Sequence, residues 1–138
     1  MKIGIIGATG HVGQAIMKEA INRGDQVTAI VRNAQKAKTL FDDQATILEK
    51  DAMALTHNDL SDLDVVVDAF ASSTPYEHVD LATRLISFFR EDKTTQLFFC
   101  DWCFHTDQRR WQHPAGGYAK AVCRRTLAGW NDRAKSRV

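Results

Sequence analysis

The chain has 138 residues, of which 44% are apolar and 25% charged, and its net charge is +1. That is about one domain, large enough to bury roughly two thirds of its unfolded surface, with no global charge to draw nucleic acid. No apolar run approaches the ~20 residues of a membrane span, and the amino-terminus reads as a buried-type strand, not a signal sequence, so a cytoplasmic protein without a membrane partner is expected.

The first strand is expected over Lys2–Ile6, running into three glycines spaced G-x-x-G-x-x-G at Gly7, Gly10 and Gly13. A helix follows over residues 11–23, with Val12, Ile16, Met17, Ala20 and Ile21 at helical spacing and Gly24 at its end. This is the grammar of a dinucleotide-binding turn. Gly7 lets the chain leave the strand sharply, Gly10 lets backbone N–H groups approach a pyrophosphate, and Gly13 lets the helix pack on the strand; the helix N-terminus then faces the phosphates.

Further along, the pattern predicts a strand at Gln26–Val31, a short helix at Ala34–Phe41 and a strand at Thr46–Glu49. A polar connection through Asn58 leads to a strand at 64–70, a helix at 75–90 and a fifth strand at 95–99. Thr74 and Glu77 suggest a capping box for that helix, Pro75 its first position, and Val79, Ala82, Ile86 and Phe89 its apolar face. Runs such as Val65-Val66-Val67 do not alternate, as befits parallel strands covered on both sides. The expected fold is therefore an α/β, Rossmann-like, doubly wound parallel sheet of order 3-2-1-4-5, binding its ligand at the carboxyl ends between the first and fourth strands.

Just after the second strand, where a carboxylate reads the adenosine ribose of NAD and a cation reads the 2′-phosphate of NADP, stands Arg32, followed by Asn33. Arginine's planar fork suits phosphate, so NADP(H) is favoured, with NAD the alternative. Lys36 and Lys38 either add to that field or are plain surface charges.

At this point the chain resembles the atypical short-chain dehydrogenases of the NAD(P)H-binding, NmrA-like and flavin-reductase-like kind. The signatures are Gly7-Ala8-Thr9-Gly10-His11-Val12-Gly13 and Val27-Thr28-Ala29-Ile30-Val31-Arg32-Asn33, with Lys50-Asp51-Ala52 and Asp68-Ala69-Phe70-Ala71 further on. The likeness spans about residues 1–99. It implies that Thr9, His11 and Val12 lie along the pyrophosphate and nicotinamide, that Asp51 and Ala52 lie by the adenine, and that Ala69, Phe70, Ala71 and Ser72 lie beneath the ribose. For Asp51 a solvated strand end is an equal alternative. The catalytic Tyr-x-x-x-Lys of short-chain dehydrogenases is absent: Tyr118 is followed by Val122 and Tyr76 by Asp80. Flavin-reductase-like relatives need no such pair, because hydride passes directly between stacked rings. No catalytic residue is thus assigned. FMN or another flavin is the candidate substrate, and a non-catalytic NADP(H)-sensing module is the alternative.

From residue 100 the composition changes. Residues 1–100 hold 10 Lys or Arg against 14 Asp or Glu, whereas 101–138 hold 8 against 3, and all the Trp and Cys lie at or beyond residue 100. Cys100-x-x-Cys103, His105, His113 and Cys123 lack a second half-site of regular spacing, so no metal is expected; the pair also ends a strand and does not start a helix, which disfavours a low-pKa redox thiol. Arg109, Arg110, Arg124 and Arg125 near Trp111 and Trp130 leave a basic nucleic-acid tail as an alternative, although nothing in the pattern orders them into a module. Read one base on, codons for Cys100-Asp101-Trp102-Cys103 encode Val or Ala, Ile or Thr, Gly, then Val or Ala, which continues an apolar strand end into a glycine. Residues 100–138 are therefore expected to be an irregular tail, either in a shifted frame or divergent, behind a Rossmann domain at 1–99. If the frame is disrupted, a product without function is a third reading.

Overall fold

In the computed structural model, residues 1–100 are described. Five strands, β1 (Lys2–Ile6), β2 (Gln26–Val31), β3 (Thr46–Glu49), β4 (Val65–Asp68) and β5 (Gln96–Phe99), form one parallel sheet in the order 3-2-1-4-5. β1 is central: Ile3 stands opposite Val27 on one side and Val65 on the other, and Ile3, Ile5 and Ile6 are all but inaccessible to water. That explains why both sequence parities of the strand are apolar, since each face is covered.

The helices divide between the faces. Ile6, Ile30 and Val66 cluster with Leu81, Leu85 and Phe89 of α4 (Pro75–Phe88 and its C-cap) and with Leu55 and Leu60. Ile5 and Ala29, of opposite parity, point to the other side, where α1 (His11–Asn22) buries Ile16, Met17 and Ala20 and α2 (Ala34–Phe41) buries Ala37 and Phe41. Burial of these aliphatic side chains, at roughly 1.5–3 kcal/mol for each of the larger ones, is the main term holding the layers together.

Three local expectations are corrected. The connection after β3 is not merely polar coil: it holds a 3-10 turn at Ala52–Ala54 and a one-turn helix, α3 (His57–Leu60). The capping box falls there, with the Asp59 carboxylate accepting from the Thr56 N–H and hydroxyl at 2.7 Å each. At α4 the box of Thr74 and Glu77 does not form, because Ser72, two residues upstream, donates its hydroxyl to Glu77 and accepts from the Thr74 N–H at 3.1 Å. The buried face of α4 is Leu81, Leu85 and Phe89, whereas Val79 and Ile86 are about half exposed. Two adjacent stripes of similar period compete in this helix, and the one carrying both leucines takes the sheet. The boundaries expected at 11–23, 64–70, 75–90 and 95–99 each contract by one to three residues. The tail expected from residue 100 lies, apart from Cys100, outside the described residues.

Candidate functional site

At the carboxyl end of β1 the chain turns at Gly7, whose φ of 75° is in the left-handed region and whose missing Cβ would sit 2.6 Å from the Ala69 carbonyl oxygen. Glycine is required there on both counts. The Gly7 N–H donates to Ile30 O and the Gly10 N–H to Gly7 O, each at 3.0 Å, closing the turn. Gly13 is buried against it, since a Cβ on Gly13 would meet Gly7 O at 2.2 Å and Ala8 Cα at 2.7 Å. Gly10 differs: the nearest atom to its Cβ position is Gly7 O at 3.3 Å, so its lack of a side chain leaves room on the cleft side. Gly10 is also the N-cap of α1, with no side-chain cap and no acidic residue in the first turn. The start of a twelve-residue helix thus presents its donors and positive dipole end without an internal anion to neutralise them.

Above this turn lies a cleft of about 300 Å³ walled by the ends of four strands. Gly7, Thr9 and Gly10 form the floor, and Gln14 Nε2 donates to Thr9 O at 2.9 Å to hold the loop. Arg32, Asn33 and Lys36 form the β2 wall; Asn33 caps α2 by accepting the Lys36 N–H at 3.0 Å. Lys50 and Ala52 come from the end of β3, and Ala69, Phe70 and Ala71 close the opposite side. Lys50 Nζ pairs with Asp59 at 2.7 Å. That bond, together with those from Thr56, holds the Asp59 carboxyl down at about 2.

The segment after β4 is fixed by its own bonds. Asp68 Oδ1 accepts from the Phe70 N–H at 3.0 Å, and the His78 ring stands 5.3 Å from the Phe70 ring, with its Nε2 3.0 Å from Ser72 O. Burial pushes the Asp68 carboxyl up, opposed by that N–H and by His78.

Of the sequence-derived candidates, Gly7, Thr9, Gly10, Arg32, Ala52, Ala69, Phe70 and Ala71 converge on the cleft. Gly13 supports it from behind. His11 is exposed and Val12 half-buried at the start of α1, and neither lines the cleft. Asp51 is exposed and caps the 3-10 turn by accepting from the Met53 N–H at 2.8 Å, and Ser72 is occupied with Glu77. Of the segment Lys50-Asp51-Ala52, which resembles cofactor-lining positions, Lys50 and Ala52 line the cleft and Asp51 does not. Two wider hollows, about 600 and 660 Å³, open at the opposite, amino-terminal ends of the strands, where Lys2 is paired with Asp62 and Asp25 and Asp64 add negative charge. Among the described residues no helix is long and apolar enough to cross a membrane.

A family model described as NAD(P)H-binding matches residues 7–135. The chain belongs to the NAD(P)H-binding family. It is 48% identical over 99 residues to YwnB of Bacillus subtilis, covering 70% of this chain and 45% of that protein. A solved structure from Lactobacillus casei is 41% identical with a TM-score of 0.66, over 71% of this chain and 47% of that one. One from Streptococcus pneumoniae, provisionally described as an NADH-flavin reductase, is 30% identical with a TM-score of 0.61, over 89% and 61%. The chain therefore spans about half the length of the first relatives it matches.

Proposed function

We propose that the cleft binds NADP(H) and that the protein is an NADPH-dependent oxidoreductase of flavin-reductase type. The observation that carries the cofactor assignment is the charge of the cleft: Arg32 and Lys36 line it without an ion-pair partner among the described residues, Lys50 lines it paired with Asp59, and no carboxylate lines it. Arg32 is exposed and has no ion-pair partner among the described residues, so its guanidinium is available to a 2′-phosphate in the bidentate geometry that a fork of donors favours. The glycine turn supports the same assignment, since Gly10 leaves space where a pyrophosphate would meet the α1 donors.

A bound nicotinamide supplies hydride chemistry, and the residues of this chain bind and orient it. Ala69 and Ala71 are small, which suits a ribose and ring lying flat against the wall. The flavin-reductase assignment draws support from the Streptococcus pneumoniae relative, and the lack of a Tyr-x-x-x-Lys pair is compatible with it because direct ring-to-ring transfer does not need one. That same lack is equally compatible with the second reading, a module that senses NADP(H) without turnover.

Two measurements on the full chain test this. Fluorescence titration is expected to show tighter binding of NADPH than NADH, and Arg32→Ala should weaken NADPH about 10- to 150-fold, the equivalent of a charge-assisted bond of roughly 1.5–3 kcal/mol, while leaving NADH nearly unchanged. Equal losses for both cofactors would remove the NADP assignment. NADPH oxidation with FMN as acceptor separates reductase from sensor: binding without turnover supports the sensor.

A further inference from the structure

The start of α2 carries a feature that the charge of the cleft does not explain. Its first N–H, on Ala34, donates to Glu49 Oε1 at 3.0 Å, a contact between residues fifteen apart in the chain. The carboxylate is carried there by the sheet: Val31 stands opposite Glu49 in the β2–β3 register, and the Lys50 N–H donates to Val31 O at 2.8 Å. The Glu49 carboxylate is thereby held at Ala34, two residues after Arg32 and next to Asn33 in the chain; Arg32, Asn33 and Lys50 line the cleft, while Glu49 stays outside the lining itself. It is exposed and makes no salt bridge among the described residues, although Arg32 and Lys36 are near in the chain to the N–H it holds.

We propose that Glu49 is a specificity-determining residue that restrains the preference for a 2′-phosphorylated cofactor. This rests on the reading of the cleft as an NADP(H) site. Arg32, Lys36 and the α2 dipole together draw an anion to this corner, and Glu49 is already the anion that holds the helix start. A 2′-phosphate approaching Arg32 meets both its repulsion and its competition for the Ala34 donor. The 2′-hydroxyl of NADH meets neither, and a carboxylate accepts from a hydroxyl. Arg32 and Glu49 thus act in opposite senses on the same substituent, leaving a chain that accepts both cofactors with a moderated bias.

Glu49→Gln keeps an oxygen to accept the Ala34 N–H and removes only the charge, so α2 is expected to stay capped. Titrating the full chain with NADPH, NADH and adenosine 2′,5′-bisphosphate should show the variant binding the two 2′-phosphorylated ligands about tenfold more tightly, the scale of one carboxylate acting on a phosphate dianion through solvent, with NADH unchanged or slightly weaker. The gain should shrink at high salt, as screening removes it. An unchanged NADPH to NADH ratio, or equal changes for both cofactors, overturns the role of Glu49 while leaving the Arg32 result standing. A wild-type chain that binds neither cofactor overturns the cleft reading and this inference with it.

Discussion

The glycines of the turn fall into two physical kinds, and replacing Gly13 or Gly10 by alanine should separate them. At Gly13 an added Cβ would lie 2.2 Å from Gly7 O, and ordinary contact begins at 3.4 Å, so α1 must retreat by roughly 1.2 Å. The obstructing atoms are all backbone of the β1–α1 turn, with no flexible side chain to yield, which puts the strain at or slightly above the top of the usual overpacking range, about 3–4 kcal/mol. Better helix propensity returns about 1 kcal/mol. Gly13→Ala should therefore lose about 2–3 kcal/mol, a large share of a typical domain's stability. At Gly10 the nearest atom is 3.3 Å away and φ is −78°, ordinary for alanine, so Gly10→Ala should lose at most about 1 kcal/mol, chiefly as a poorer N-cap. Binding reverses the order: Gly10→Ala puts a methyl group on the cleft side and should weaken NADPH and NADH alike, by about tenfold or more. Urea unfolding of the full chain, compared at constant m, gives the stabilities, and fluorescence titration gives the affinities. A Gly13→Ala protein as stable as wild type, or a Gly10→Ala protein that unfolds as early as Gly13→Ala, would refute the division.

On α4, Leu85→Ala should cost about 2–5 kcal/mol because Leu85 is 1% exposed in the core, whereas Ile86→Ala, at 52% exposure, should change stability by less than about 0.5 kcal/mol; similar losses for both would mean the helix presents a different face. Asp59, held at about 2 by Lys50 and Thr56 against an ordinary 3.8, contributes stability that is present above its unfolded pKa and is lost as pH falls through its folded one. After allowance for solvent screening, Asp59→Asn should destabilise by about 1 kcal/mol at pH 7, with the gap to wild type closing between about pH 4 and pH 2. A gap that persists unchanged at pH 2 would show that the carboxylate's charge is not its source.

Strand order and the cleft floor were legible because their signals are local. Ile3 to Ile6 and Val65-Val66-Val67 show the doubly covered runs of central parallel strands, and Gly7, Gly10 and Arg32 occupy turns whose geometry follows from nearest neighbours. What was not legible is set by contacts distant in sequence. Two near-equivalent apolar stripes run along α4, and only the packing of Leu81 and Leu85 under Ile6 and Val66 decides between them. α3 is a single turn, too short for a period to register. Glu49 reaches the start of α2 solely because β3 lies beside β2 in one register; a slip of one residue would turn it away.

The contact between Gly7 and Ala69 bears on how the protein is made. The glycine turn and its helix are encoded in the first 22 residues, yet the carbonyl against which Gly7 packs belongs to a residue 62 positions later, and β1 gains its second neighbour only when β4 arrives. During synthesis the glycine turn thus leaves the ribosome with only its local bonds and the contact to Ile30 to shape it, and its side facing β4 stays open until Ala69 has followed. One wall of the cleft is thus completed only by residues far along the chain, so a ligand that needs the whole cleft stabilises the domain only once that long-range contact has formed.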